Sequence, residues 1–294
     1  MNVMEHMARE LGSQPEMWRR AADMVEEQRI LPPAGANVAV VGCGTSWFMA
    51  QSYASLRVAG GHGRTDAFAA SEAFVERDYD LIVAITRSGT TTEVLDLLRD
   101  RTRGTPAIGI VGDVNSPLVD LVDTVIALPF ADERSVVQTR FATTALALLR
   151  ASLGASLDDA IVDAEEALET ELDAALVGAE QFTFLGRGWA VGLANEAALK
   201  LREAAQAWTE SYPAMEYRHG PIAIAAPNRV TWMLGDPPSG LRAQVEATGA
   251  RFVSSERDPM AELVRIHRVA LQRARSLGLN VDEPRNLTRS VVLE

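Results

Sequence analysis

Four hydroxyl side chains, Ser88, Thr90, Thr91 and Thr92, fall within five consecutive positions around Gly89 and directly after Arg87. They follow the β-branched apolar run Leu81, Ile82, Val83, Ala84, Ile85, and they precede Val94, Leu95, Leu97 and Leu98 at helical spacing. The pattern predicts a strand-to-helix turn. Its unpaired N–H groups and hydroxyls suit an anion of the phosphate type, with Gly89 letting the backbone come close to it. A plain helix cap uses one hydroxyl; four of them with a guanidinium exceed that need.

A second group lies in the helical stretch "NEAALKLREAAQAW", where Glu196, Lys200 and Glu203 share one face. Such charges usually form a solvated stripe. This stretch is otherwise crowded with alanine, as a helix buried on several sides would be, and buried charges must be paired or used. A carboxylate whose pKa is raised by burial is suited to removing a proton next to a carbonyl. His219, in "YRHGP", is either a hydrogen-bonded loop residue or a carrier of protons near neutral pH. Lys200 is the single lysine, the other 27 of the 28 basic residues being arginine, so it alone has an amine that can form a Schiff base.

The elements that must hold these groups alternate. The first half runs "NVAVVGCG", "TSWFMAQSYASLRVA", "RTDAFAA", "YDLIVAITRSG", "TTTEVLDLLRD", "TPAIGIVGD", "DTVIALPF" and the helical "VVQTRFATTALALLRASLG". Strand and helix signals in that order imply a parallel sheet wrapped by helices. An acidic segment, "SLDDAIVDAEEALETELDAAL", predicts one connecting helix. A second alternation then begins with "QFTFLGRG", the long helix, "RVTWMLGD", "SGLRAQVEATG", "RFVSS" and the amphipathic "MAELVRIHRVALQRARSLG". The expected fold class is α/β, two units of one plan, over residues 1–154 and 155–294. Ligands of open parallel sheets sit beyond the strands' carboxyl ends. "GCGTS", "TRSGTT" and "LGRGW" are the turns that qualify, and "GCGTSW" lacks the third glycine of a dinucleotide loop.

The 294 residues, 47% of them apolar, are enough for two cores. The net charge of −12 disfavours a nucleic-acid partner. One cysteine, Cys43, excludes an internal disulfide and any cysteine-rich metal site. With no apolar run of about 20 residues and charges in place of a signal peptide's apolar core, no membrane association and a cytoplasmic location are expected. No cofactor or metal is expected.

The motifs "VVGCGTSWF", "ITRSGTTTEV", "ERSVVQTRFATT", "FLGRGWAVGLANEAALKLREAAQAWTESYPAMEYRHGPIAI" and "NVDEPRNLTRSVVLE" resemble, in order, those of the sugar isomerase (SIS) family, and most closely the isomerase half of glucosamine-6-phosphate synthase. The resemblance implies two tandem SIS domains with flavodoxin-like sheets, in a homodimer with active sites at the subunit interface. It implies that Ser46, Thr86, Arg87, Ser88 and Thr91 hold a sugar 6-phosphate, that Glu203 moves the proton between C1 and C2 with Lys200 assisting, and that His219, from the neighbouring subunit, opens the ring. The family's imine-forming lysine corresponds to Arg289, which stays protonated and cannot form one. The chain begins at the SIS part without a glutaminase domain, so glutamine hydrolysis is not expected. What remains is enolate chemistry at C2 of an open-chain amino-sugar 6-phosphate. Dehydration of N-acetylglucosamine 6-phosphate, with Arg289 polarising oxygen, is the leading expectation; isomerisation or deamination of glucosamine 6-phosphate and a non-catalytic sugar-phosphate sensor are the alternatives.

Overall fold

The computed structural model describes residues 6–101 and 104–293. Two parallel sheets are flanked by helices. Strands β1 (Val38–Gly42), β2 (Thr65–Ala69), β3 (Leu81–Thr86), β4 (Ala107–Val111) and β5 (Thr124–Ala127) form the first, in the order β2-β1-β3-β4-β5. Strands β6 (Gln181–Gly186), β7 (Trp208–Pro213), β8 (Arg229–Leu234) and β9 (Arg251–Val253) form the second, in the order β7-β6-β8-β9. All pairings are parallel, Val38 standing opposite Leu81 in the first sheet and Phe182 opposite Val230 in the second. The strand order reverses between β1 and β3 and again between β6 and β8, which opens a crevice at the carboxyl ends there.

The helices are α1 (His6–Gly12), α2 (Gln14–Ala22), α3 (Val25–Ile30), α4 (Thr45–Ala59), α5 (Thr92–Asp100), α6 (Arg140–Ala151), α7 (Asp158–Glu169), α8 (Ala174–Val177), α9 (Ala190–Ala205), α10 (Leu241–Glu246) and α11 (Pro259–Ser276). One apolar core joins Val83 and Ile85 of the first sheet, Phe182 and Trp232 of the second, and buried faces of α4, α6, α9 and α11. Helix α6 is buried along nearly its whole length, which its run of apolar and small residues from Phe141 to Leu149 allows.

Two expectations change. The acidic segment is not one helix: it breaks at Thr170, whose backbone is extended, and resumes as α8, capped by the Asp173 carboxylate on the Ala175 N–H. Strand β7 was not expected, since "WTESYP" has neither an apolar run nor clean alternation; it is an edge strand that only its pairing with β6 defines. It follows α9 after Gln206, which takes a left-handed conformation.

Helices α4 and α9 bring the two sheets together at Gly192. A Cβ there would lie 2.3 Å from the Phe48 carbonyl oxygen and 2.4 Å from Ser52 Oγ, and Ser52 Oγ donates to the Trp189 carbonyl at 2.8 Å. Only a residue without a side chain permits this crossing, which aims the start of α4 at the middle of α9. Gly192→Ala should force the helices apart and lower stability by about 1–3 kcal/mol, measured by urea denaturation; an unchanged midpoint would show that the crossing is not tight.

Candidate active site

Lys200 is the centre of the charged face on α9. It is fully buried, with its Nζ 2.7 Å from Glu203 Oε2, 3.2 Å from Glu196 Oε1 and 3.4 Å from Thr45 Oγ1 at the start of α4. Glu196 is also buried, whereas the Glu203 side chain keeps 20% of its surface exposed. Burial pushes the Glu196 carboxyl up to about 7 against the pull of Lys200, with the charge of Glu203 adding to the rise. Burial disfavours the Lys200 ammonium, but the two carboxylates outweigh it and hold its pKa above the usual lysine value. The triad is thus one protected cation with a carboxylate on each side, one sealed and one open.

Glu203 opens into a cavity of about 170 Å³ between the first sheet's carboxyl ends and the chain's last residues, lined also by Gly44, Thr45, Arg87, Thr91, Gln138 and the stretch from Leu287 to Val291. This brings Glu203, Arg87, Thr91 and Arg289 around one space. Ser46, Thr86 and Ser88 lie buried beside it without lining it, and Lys200 lies beneath Glu203. His219 is not brought in: it is exposed after a short 3-10 turn beyond β7 and lines no part of this cavity.

The Ser/Thr turn is built differently from its expected form. Thr86 Oγ1 and Ser88 Oγ accept from the N–H groups of Gly89 and Thr90 at 3.3 Å each, so these hydroxyls tie the turn to itself. Gly89 has φ +61°, and the space a Cβ would take holds Ser116 Oγ, 1.9 Å away. The glycine therefore serves the turn and its neighbour. At the mouth of the turn sits the chain's own tail: Thr90 Oγ1 donates to Ser290 Oγ at 2.9 Å, the Thr92 N–H to the Val291 carbonyl at 3.1 Å, and the Leu293 N–H to Thr92 Oγ1 at 2.9 Å.

Arg87 is engaged within the chain. Only 2% exposed, it donates from Nη1 to the Ser135 carbonyl and from Nη2 to the Arg289 carbonyl, each at 2.7 Å. Two of its donors are thus spent on holding the tail against the segment from Glu133 to Thr139, which itself is fastened by carboxylates. Glu133 accepts from the Thr139, Arg140 and Phe141 N–H groups and so caps α6, and Glu10 accepts from those of Arg134 and Ser135. Asp282 accepts from the His6 and Met7 N–H groups, which fastens the start of the tail to α1. The Arg289 side chain pairs with Asp132. Sequence reasoning missed Asp132, Glu133, Glu10 and Asp282; "ERSVVQTRF" marked the neighbourhood but not that its first residue is a helix cap.

Arg87→Ala should release the tail. Amide hydrogen exchange from Leu287 to Leu293 is expected to accelerate, two charge-assisted bonds of about 1.5–3 kcal/mol each having been lost; unchanged protection would refute the strut. Glu196 makes a pH prediction. Its folded pKa of about 7 lies above its ordinary 4.5, so its stabilising effect is complete below pH 4.5 and is lost as the pH rises towards 7. Between pH 5 and 7.5 the melting temperature of the native protein should therefore fall relative to that of Glu196→Gln, and parallel melting curves would contradict the assignment.

The isomerizing glutamine–fructose-6-phosphate aminotransferase of Pyrobaculum aerophilum is 28% identical to this chain, over 98% of the chain and 57% of the relative. That of Sulfolobus acidocaldarius is 28% identical, over 92% and 52%. The chain thus spans a little over half the length of these curated relatives. Among solved structures, glucosamine-6-phosphate deaminase from Thermotoga maritima superposes with a TM-score of 0.81 at 25% identity, covering 98% of this chain and 100% of that one. The C-terminal domain of glucosamine-fructose-6-phosphate aminotransferase from Francisella tularensis superposes with a TM-score of 0.79 at 21% identity, over 96% and 99%. No family model matches the chain. Its two parallel sheets, and likenesses that run over nearly the whole chain, make it similar in fold and sequence to these aminotransferase and deaminase proteins.

Proposed function

We propose that the protein is an enzyme that removes the C2 proton of an open-chain amino-sugar 6-phosphate, with Glu203 as the base. The observation that carries this reading is the Glu196–Lys200–Glu203 triad, in which the one carboxylate open to the cavity is held 2.7 Å from a buried ammonium. A proton next to the C1 aldehyde is acidic because its enolate is delocalised, and the Lys200 ammonium, 2.7 Å away, fixes the Glu203 carboxylate at the edge of the cavity. In this reading the sugar phosphate meets Thr91, Ser88, Thr86 and Ser46 once the tail's Ser290 gives way, and Arg87 positions the tail. His219, exposed and away from the cavity of its own chain, opens the ring at the site of a second copy in a homodimer. The 1–154 and 155–294 segments are then tandem SIS domains of flavodoxin-like plan, a division supported by the containment of each sheet in one segment.

Lys200 is the only lysine, and it is buried between two carboxylates; Arg289 cannot form an imine. These facts disfavour amination of a keto sugar through a lysine imine. They suit an enolate that expels the C3 hydroxyl, with the Arg289 guanidinium offsetting negative charge on oxygen, as in dehydration of N-acetylglucosamine 6-phosphate. The end-to-end likeness to a glucosamine-6-phosphate deaminase favours a second reading, in which C1 is reprotonated to leave an imine at C2 and water hydrolyses that imine to the C2 ketone and ammonia.

The test is incubation in deuterated water with glucosamine 6-phosphate and with its N-acetyl form, followed by mass and NMR. Loss of water from the acetylated sugar is expected; loss of ammonia from the free amine would establish the second reading. Glu203→Gln should stop C2 exchange and product formation together, by about 10²–10⁴-fold. Binding of both sugars without any exchange in the native protein would instead point to a sensor.

A further inference from the structure

The sealed side of the triad continues into the core. Behind Glu196 lies His267 of α11, fully buried, with Nε2 3.9 Å from Glu196 Oε1. Its Nδ1 is 3.4 Å from Nε2 of Gln14, the first residue of α2. Gln14 Oε1 accepts from Thr143 Oγ1 at 2.9 Å, and Thr143 Oγ1 accepts from Trp18 Nε1 at 3.0 Å. Gln14, Trp18 and Thr143 are all buried. A polar path thus leads from Glu203 through Lys200, Glu196, His267 and Gln14 to α6, across four helices.

The path has a direction. Gln14 Nε2 also donates to the Leu11 carbonyl at 3.2 Å, and a carbonyl only accepts, so the amide orientation is settled. Its other N–H meets His267 Nδ1, which must therefore be the unprotonated nitrogen. The ring's proton then sits on Nε2 and faces Glu196 across 3.9 Å, and neither Nε2 nor the two Glu196 oxygens makes a well-directed hydrogen bond to any other described group.

We propose that Gln14 and His267 are positioning residues for the base: Gln14 locks His267 as the neutral Nε2–H tautomer, His267 turns that N–H on Glu196, and Glu196 holds Lys200 against Glu203. The proposal rests on the reading of Glu203 as the C2 base. The groups that face Glu196 are Lys200 and Glu203 on its own helix, His267 on α11 and Thr45 on α4. Burial, and then the Lys200 charge, keep the imidazole far below its usual pKa, so it remains a neutral donor while Glu196 gains or loses its proton. A fixed N–H dipole favours the ionised form of Glu196 without adding a second buried cation beside Lys200.

Two measurements test this on the full chain. Long-range ¹⁵N–¹H correlation spectra, with the four histidines assigned by substitution, should show His267 neutral and protonated at Nε2 from pH 5 to 8, and Gln14→Leu should mix the tautomers. A protonated Nδ1, a charged ring at pH 6, or an unchanged tautomer in Gln14→Leu would overturn the lock. In the C2 exchange assay, His267→Phe should lower kcat by roughly 10–100-fold with little change in KM and should shift the pH profile. His267→Gln, which keeps an N–H near the same place, should recover part of the loss. Wild-type kcat and pH profile in both variants would overturn the positioning role. A native protein that exchanges no C2 proton would defeat the assignment of Glu203, while the imidazole spectra would still decide the lock.

Discussion

An ammonium with no exposed surface constrains this molecule more than any other single group. Lys200 must be compensated where it stands, because a buried unpaired cation costs several kcal/mol. The compensation comes from its own helix: Glu196 and Glu203 lie one turn away on either side, so the helical repeat alone delivers both carboxylates. What differs between them is supplied by neighbours. The start of α4, brought close by the contact at Gly192, and α11 seal Glu196; the crevice beyond the first sheet leaves Glu203 accessible.

The open side is bounded by chain segments far apart in sequence. Arg87 at the end of β3, Ser135 in the loop before α6 and Arg289 in the tail meet through a single guanidinium. Asp282 links the same tail to α1, and Glu10 of α1 returns to the loop at Arg134 and Ser135. This closed circuit of charge-assisted bonds to backbone groups shapes the cavity wall from segments far apart in the chain. It also places the Ser290 hydroxyl on the Thr90 and Thr91 hydroxyls.

Much of this was legible beforehand. Continuous apolar runs such as Leu81 to Ile85 mark strands buried on both faces, and the alanines around Glu196, Lys200 and Glu203 mark a helix with no solvent face to spare. The parallel sheets and the burial of the triad follow from those patterns. Strand β7 was not legible, because an edge strand needs no apolar alternation, and neither was the break before α8, where acidic residues continue the helical spacing on both sides of the gap. The partners of Arg87 escaped notice because backbone carbonyls carry no sequence signature.

The order of the motifs, the three glycine turns, the single lysine and its two carboxylates on one helix face were determined by sequence alone, since each is a matter of residue type and local spacing. Which carboxylate is sealed and which is open, that Gly89 makes room for Ser116, that Arg87 holds the tail, and that Gln14 and His267 stand behind Glu196 were decided only by the tertiary structure. Those facts depend on contacts between residues as much as 253 positions apart. Burial and hydrogen-bond direction arise only when the helices that carry them are packed together.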